Sequence, residues 1–277
     1  MIKNILKGFI IGIAKILPGV SGSMLAISLN VYERLLGIIA DIKTTTKKEF
    51  KFLFSILTGA LVGISFLSGS VKWFLNNFYF PTMLLFIGLI IGGLPEIVNI
   101  IKNKWKNKKN IIIFILSFTF SYILANLGTI NIKNINNILM YFLLGLIEAF
   151  SSIIPGISGT AIYISLGVYE TILDFFSNIF NFHYFKFGIF FTIGLLSGII
   201  IIAKTITYLL KKYKLETYYA IFGFMISSII IMIKESVANI SNKVINGLTT
   251  LEILCGFIFV YIGYKITIKI NSLLTKK

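Results

Sequence analysis

Cysteine and histidine are almost missing: the chain holds Cys255 and His183 and no other residue of either kind. One thiol makes no internal disulfide and no cysteine-built metal site. One imidazole, read as an ordinary loop residue, leaves no His-rich metal site and no buried Ser-His pair. No cofactor, no metal and no enzymatic activity is therefore expected. Negative charge is scarce as well, with ten Asp and Glu against 26 Lys and Arg, and Arg34 is the single arginine. Charged residues make up only 13% of the 277, too few to coat a soluble domain of that size.

Apolar sequence is abundant. Hydrophobic residues are 57% of the chain, mean hydropathy is +0.92, and several runs reach the roughly 20 residues that a helix needs to cross hydrocarbon. The bilayer is the main solvent on this reading. The net charge of +16 sits in loops between the apolar runs, where it orients a membrane protein and does not call for nucleic acid. Richness in Ile, Asn and Lys points to AT-biased coding as a further source of lysine. Lys3 and Lys7 followed by apolar residues resemble a signal peptide, but the same pattern returns in mid-chain, which argues against that reading.

The chain repeats itself. Residues 8–36 read GFIIGIAKILPGVSGSMLAISLNVYERLL and residues 145–173 read GLIEAFSSIIPGISGTAIYISLGVYETIL, agreeing without gaps at 14 of 29 positions. The matches include Pro18 with Pro155, Gly19 with Gly156, Ser21 with Ser158, Gly22 with Gly159, Tyr32 with Tyr169 and Glu33 with Glu170. Generic apolar sequence would match at Ile and Leu instead. The likeness continues at Gly59 and Gly194, Gly63 and Gly198, Thr82 and Thr217, and Gly88 and Gly223. Two copies of one module follow, 1–136 and 137–277. Each has a broken apolar segment, about 5–30 or about 138–167, and then three apolar segments. These are about 50–71, 80–101 and 110–128 in the first copy and about 186–210, 216–234 and 248–269 in the second.

Pro18 and Pro155 lack a backbone donor, and the glycines beside them loosen a helix. Polar groups freed this way must be buried in protein or line a polar cavity. Such a segment is a broken spanning helix or a re-entrant hairpin, and lysine placement decides. With two re-entrant segments and a cytoplasmic N-terminus, 17 basic residues (at 3–7, 34–51, 102–109, 211–214 and 276–277) share the cytoplasmic side. Only Lys72, Lys133, Lys186, Lys234 and Lys243 fall outside. A spanning first segment would move the clusters at 43–51 and 102–109 outward, against the positive-inside bias. The expectation is an all-α integral membrane protein of two inverted repeats, each a re-entrant helical hairpin plus three transmembrane helices. Both termini are cytoplasmic, and the hairpin tips meet near the midplane.

The tips read Pro18-Gly19-Val20-Ser21-Gly22-Ser23 and Pro155-Gly156-Ile157-Ser158-Gly159-Thr160. Glycines let a ligand approach the backbone, and hydroxyls and free N–H groups suit an anion such as phosphate. Small residues equally let membrane helices pack closely; duplication of the whole motif favours binding. Three ionisable residues lie in apolar sequence nearby, where charge is costly and usually functional. Lys15 would neutralise an anion and Glu148 would carry a proton. Glu96 sits near a helix end, where water can solvate it. Tyr32-Glu33 and Tyr169-Glu170 mark where each hairpin exits, as interfacial anchors or as gates that gather protons.

The stretches ILPGVSGSMLAISLNVYERLL, GLIIGGLPEIV and IIPGISGTAIYISLGVYETIL resemble the bacterial polyprenyl-phosphate transporter family, the PopT-like proteins, over nearly the whole chain. The resemblance implies return of undecaprenyl phosphate, the lipid carrier of cell-wall synthesis, to the cytoplasmic leaflet of the bacterial cytoplasmic membrane. Polyprenyl phosphate and the bilayer are then the partners. Two departures bear on the geometry: Ser23-Met24 stands where the family often has Gly-Thr, and Asn30 where it often has Gly, as at Gly167. A small-anion transporter or channel, a membrane-embedded lipid phosphatase or transferase, and a membrane scaffold are the rival readings.

Overall fold

The structure is a computed structural model, and it describes residues 1–16, 21–102, 107–126, 137–157, 159, 162–163, 166–169, 171–172, 185–244 and 250–275. All regular elements among them are α-helices. In chain order these are α1 (Ile2–Ile16), α2 (Gly22–Ser28), α3 (Tyr32–Ala40), α4 (Lys47–Asn77), α5 (Tyr79–Ile91), α6 (Leu94–Ile101) and α7 (Lys108–Asn126). The second half adds α8 (Ile138–Ile153), α9 (Phe185–Lys212), α10 (Lys214–Val244) and α11 (Thr250–Thr275). The six long apolar segments expected from the sequence all fall on helices. One of them is interrupted at Gly92-Gly93, with Pro95 in the first turn of α6.

Among the described residues, five helices are long and apolar enough to cross a membrane: Tyr79–Ile101 taken as one, Lys108–Asn126, Phe185–Lys212, Lys214–Ala238 and Glu252–Ser272. The pair α2 and α3 makes a sixth only if counted together across a 117° bend. The outer surface matches hydrocarbon. Phe54, Leu61, Leu116 and Phe257 are all more than half exposed, and no aqueous protein presents such a belt. Several hydroxyls inside the helices turn back on their own backbone, which keeps them satisfied away from water. Thr82 donates to the Phe78 carbonyl at 2.7 Å and its repeat partner Thr217 to the Tyr213 carbonyl at 2.8 Å. The chain is a multi-pass membrane protein.

The two halves use the same packing. α1 lies on α4 and α8 on α9, and in both pairs glycine sets the spacing. A Cβ on Gly8 would collide with the Ile56 carbonyl, and one on Gly145 with the Phe191 carbonyl, so the helix backbones touch directly. The remaining long helices pair across the halves: α5 with α11, and α7 with α10. Gly88 meets Val260 in the first of these pairs, and Gly223 meets Phe114 and Ser117 in the second.

Contact order along the helices fixes their directions. Gly8 faces Ile56 and Gly12 faces Ala60, so α1 runs parallel to α4 and beside its first half. The chain must return before α4 can begin, and it does so through α2 and α3. α2 packs on α1, and the Lys7 ammonium donates to the carbonyl of Leu29, 22 residues further on. The same doubling back is seen at α8, where the Tyr163 hydroxyl donates to the Leu144 carbonyl at 2.9 Å.

Candidate functional site

Each hairpin ends in the same turn. Val31 N–H bonds to the Ala26 carbonyl at 2.9 Å, and Val168 N–H to the Tyr163 carbonyl at 3.0 Å. Between them the chain takes left-handed backbone, with φ of 55° at Asn30 and 69° at Gly167. Asparagine is one of the few L-residues that tolerates this region, so Asn30 reproduces the geometry that glycine gives in the second half.

The first tip meets the end of the second hairpin's incoming arm. Ser21 precedes α2 in extended backbone, and its Oγ lies 2.6 Å from Ser23 Oγ and 3.3 Å from the Ser151 carbonyl, which it approaches as donor. The Tyr32 hydroxyl donates to the Ile153 carbonyl at 3.0 Å. Just beyond, Ser121 of α7 donates to the Gly156 carbonyl at 2.9 Å. Carbonyls left without helical partners at and beyond the end of α8 are therefore taken up by hydroxyls from three other parts of the chain. Ser21, Gly22, Ser23, Pro155 and Gly156 are all buried.

Gly156 has a packing role. Its φ is 79°, and a Cβ there would strike the Phe224 carbonyl of α10. That contact lies ten residues along α10 from Lys214, about 15 Å at 1.5 Å per residue. Gly159 instead faces the inside of its own hairpin, where a Cβ would come 3.0 Å from Glu148 Oε2. Glu148 Oε1 accepts from Ser152 Oγ at 3.2 Å. The acid thus stands between the two arms at the tip.

Glu33 is elsewhere. It is exposed where α3 begins, accepts from the Tyr218 hydroxyl, and lies 3.9 Å from the Lys214 ammonium. A cavity of about 360 Å3 opens beside it, lined also by Asn30, Tyr32, Glu96, Asn99 and Tyr218. The proton-coupling candidates are thus split between a tip and a helix end. Pro18, Gly19, Ser158, Thr160, Glu170 and His183 lie outside the described residues, as does the side chain of Lys15.

Several participants escaped the sequence reading. Lys7, counted there as a cation at a membrane face, is 3% exposed within α1. Its signal was weak, because it sits among other N-terminal polar residues. Ser121, Ser151 and Tyr163 carried no motif. Their roles come from contacts with chain 19 to 130 residues away.

Comparison with known proteins gives the family. The family model described as "VCA0040-like: Undecaprenyl phosphate translocase-like" matches residues 11–250. A Polyprenyl-phosphate transporter of Staphylococcus aureus is 29% identical over 237 residues, covering 82% of this chain and 84% of its own. One from Vibrio cholerae is 26% identical over 239 residues, covering 81% and 75%. Both relatives are named as transporters and neither as an enzyme. No solved structure matches the chain. With most of its length matched by that model, from the first broken segment to the start of α11, the chain belongs to the VCA0040-like, undecaprenyl phosphate translocase-like family.

Proposed function

We propose that the protein carries a polyprenyl phosphate, undecaprenyl phosphate in the family's terms, from the outer to the cytoplasmic leaflet of a bacterial cytoplasmic membrane, returning the carrier for reuse. The observation that carries the reading is the contact between the start of α2 and the end of α8. Ser21 and Ser23 lie against the end of α8, where Pro155 opens the second hairpin. The 15 Å from Lys214 to the Gly156 contact is half of a hydrocarbon core about 30 Å thick. A lipid phosphate cannot cross that core unaided, whereas its chain can stay in lipid throughout. Hydroxyls of Ser21, Ser23, Ser158 and Thr160, with backbone bared at Gly19, Gly22 and Gly159, would receive the phosphate, and Lys15 would offset its charge.

With α4 taken as a sixth span beside the five, the helices would cross in alternation, each half three times. The second half is then inverted relative to the first, and both termini are cytoplasmic. The parallel courses of α1 with α4 and α8 with α9 support this, because each hairpin must return to the face it left. Moving an anion inward against an inside-negative potential costs about 2.3 kcal/mol per charge at 100 mV. A co-transported proton would offset that cost, and Glu148 at the second tip would carry it. Glu33 and Glu170 would gather protons at the hairpin exits.

The test is transport of labelled undecaprenyl phosphate in liposomes containing only this protein, with inorganic phosphate in a parallel sample. Lipid movement without phosphate flux is expected. Flux of free phosphate without lipid movement would replace this reading with a small-anion pathway.

A further inference from the structure

A groove of about 480 Å3 runs between α7, α9 and α10. Its walls are apolar and half-buried: Ile113 on α7, Ile206 and Leu209 on α9, Ala220 and Phe224 on α10. Beside it, Ile112, Leu116, Ile201 and Tyr208 are more than half exposed, so the groove opens on the surface that the bilayer wets. Its two ends differ. At one, Lys109 pairs with Glu216 at 3.1 Å, above Tyr213. The ammonium groups of Lys109 and Lys212 lie 5.9 and 5.4 Å from the Tyr213 ring, and Lys212 also donates to the Tyr208 hydroxyl at 3.0 Å, so two cations gather at this end. At the other end are Ile154 and Pro155, the break of the second hairpin. From Glu216 to Phe224 the groove follows α10 for eight residues, about 12 Å.

This is the layout of a lipid standing in its leaflet. A head group lies at the interface and its chain points toward the midplane. The groove offers cations and an aromatic ring at the interface, apolar walls inward, and the hairpin break at the depth where the chain would pass. Aromatic rings and lysines at that level are the usual membrane-interface anchors. We propose that the groove is the berth of one polyprenyl monophosphate in the leaflet at the α9–α10 turn. Its phosphate rests on Lys109 and Lys212, and its first isoprene units lie along Ile206, Ala220 and Phe224. The lipid stands here next to the tip that handles its head group, either before or after the phosphate passes the hairpins. The proposal rests on the transport reading and adds a second, interfacial site to it.

The experiment uses the full chain in liposomes with a polyprenyl phosphate bearing a photoreactive group on the isoprene next to the phosphate. Labelled peptides are mapped by mass spectrometry. Label is expected within 206–213 and 220–224, competed by unlabelled polyprenyl phosphate and not by phosphatidylglycerol. Filling the groove with Ala220→Phe should cut labelling about tenfold or more, since an added side chain in a packed space has nowhere to go. Ile206→Phe serves the same purpose if Ala220→Phe does not fold. Replacing both Lys109 and Lys212 by Gln should raise the half-saturating lipid concentration about tenfold and leave maximal labelling unchanged. Label absent from both stretches, or displaced equally by phosphatidylglycerol, overturns the berth. Transport is measured on the same samples. A parent that labels in the groove and moves no lipid overturns the transport reading and leaves the berth. A filled groove that transports at the parent rate overturns the berth and leaves the transport reading.

Discussion

In the first hairpin the turn after α2 is closed by bonds at Leu29 and Val31, and in the second the same bonds are made at Leu166 and Val168. Side chains around these turns diverge. Lys7 reaches the Leu29 carbonyl in the first hairpin, where the second has Leu144 and uses Tyr163 to brace its arms. Glu148 stands where the first has Ile11, and its donor Ser152 stands where the first has Lys15. So the arms of one hairpin carry cations and those of the other an anion, on matching backbones. The backbone serves what both halves must do, which is to break a helix inside lipid and cover the freed groups. The charges make the two hairpins unlike where their backbones are alike.

The most damaging change on the described backbone is Gly156→Val. It forces an L-residue to a φ of 79°, about 1–2 kcal/mol, and drives a side chain into the Phe224 carbonyl, about 1–3 kcal/mol more. Loss of roughly 3 kcal/mol or more should appear as a large drop in thermal stability in detergent. A parent-like melting temperature would mean that Gly156 is not packed against α10. Because this glycine serves the fold, its substitution says little about phosphate. Serine variants at the tips are the cleaner probe of binding, at about 1 kcal/mol for each lost hydrogen bond.

The charge difference between the hairpins is broken by Glu148→Gln, which keeps the shape and the bond from Ser152. Transport by the parent should vary with pH, and in the variant the profile should be flat while lipid binding is retained. If Glu148 instead only pairs with Lys15, the variant loses binding and Lys15→Met restores part of it. A pH profile unchanged from the parent, in a folded variant, removes Glu148 as the proton carrier.

Much of the fold was legible because bilayer helices announce themselves by length. α7, α9, α10 and α11 are each 19 residues or longer and coincide with apolar runs. The break at Pro155 was legible because proline and glycine act locally. The pairing of α5 with α11 was not, because its contacts, such as Thr267 donating to the Leu89 carbonyl at 2.9 Å, join residues 178 apart and leave no periodic mark. Glu148 was marked as a buried acid, but its approach to Gly159 needs the chain to double back. Lys7 was misjudged because a lysine near a helix end looks the same whether it faces water or a neighbour's carbonyl.

Smaller effects sharpen the match between the two turns. Asn30→Gly installs in the first turn the residue of the second, and it should be neutral or stabilising by less than about 1 kcal/mol, since glycine has no Cβ penalty at positive φ. Gly167→Asn should be tolerated to a similar degree, whereas Gly167→Val should not, because a β-branched residue resists this backbone. Thermal unfolding of the three variants ranks them. If Gly167→Asn were as damaging as Gly167→Val, the two turns would not share one geometry.

The smallest expected effect concerns a clamp found in one half only. Arg34 of α3 forks onto Glu49 at the start of α4, with bonds of 2.9 and 3.0 Å, and its guanidinium lies 4.0 Å from the centre of the Phe52 ring. The repeat counterpart of Arg34 is Thr171, which has no charge to offer. Hydrogen bonding from Arg34 holds the Glu49 carboxyl below its ordinary 4.5. A depressed folded value means that the pair adds stability above the unfolded value and loses it as pH falls through the folded one. The contribution is therefore present at pH 7 and disappears on acidification below about 4.5. Both partners are about one-third exposed or more, so solvent and salt screen the pair, and about 0.5 kcal/mol or less is expected. Arg34→Thr, which copies the second half, should lower stability by that amount at pH 7 and low salt, with the ion-pair share of the deficit vanishing at acid pH. Loss of the Phe52 contact would remain at every pH. An Arg34→Thr deficit that does not shrink between pH 7 and pH 3 assigns the residue's contribution to that stacking and removes the ion pair from the comparison.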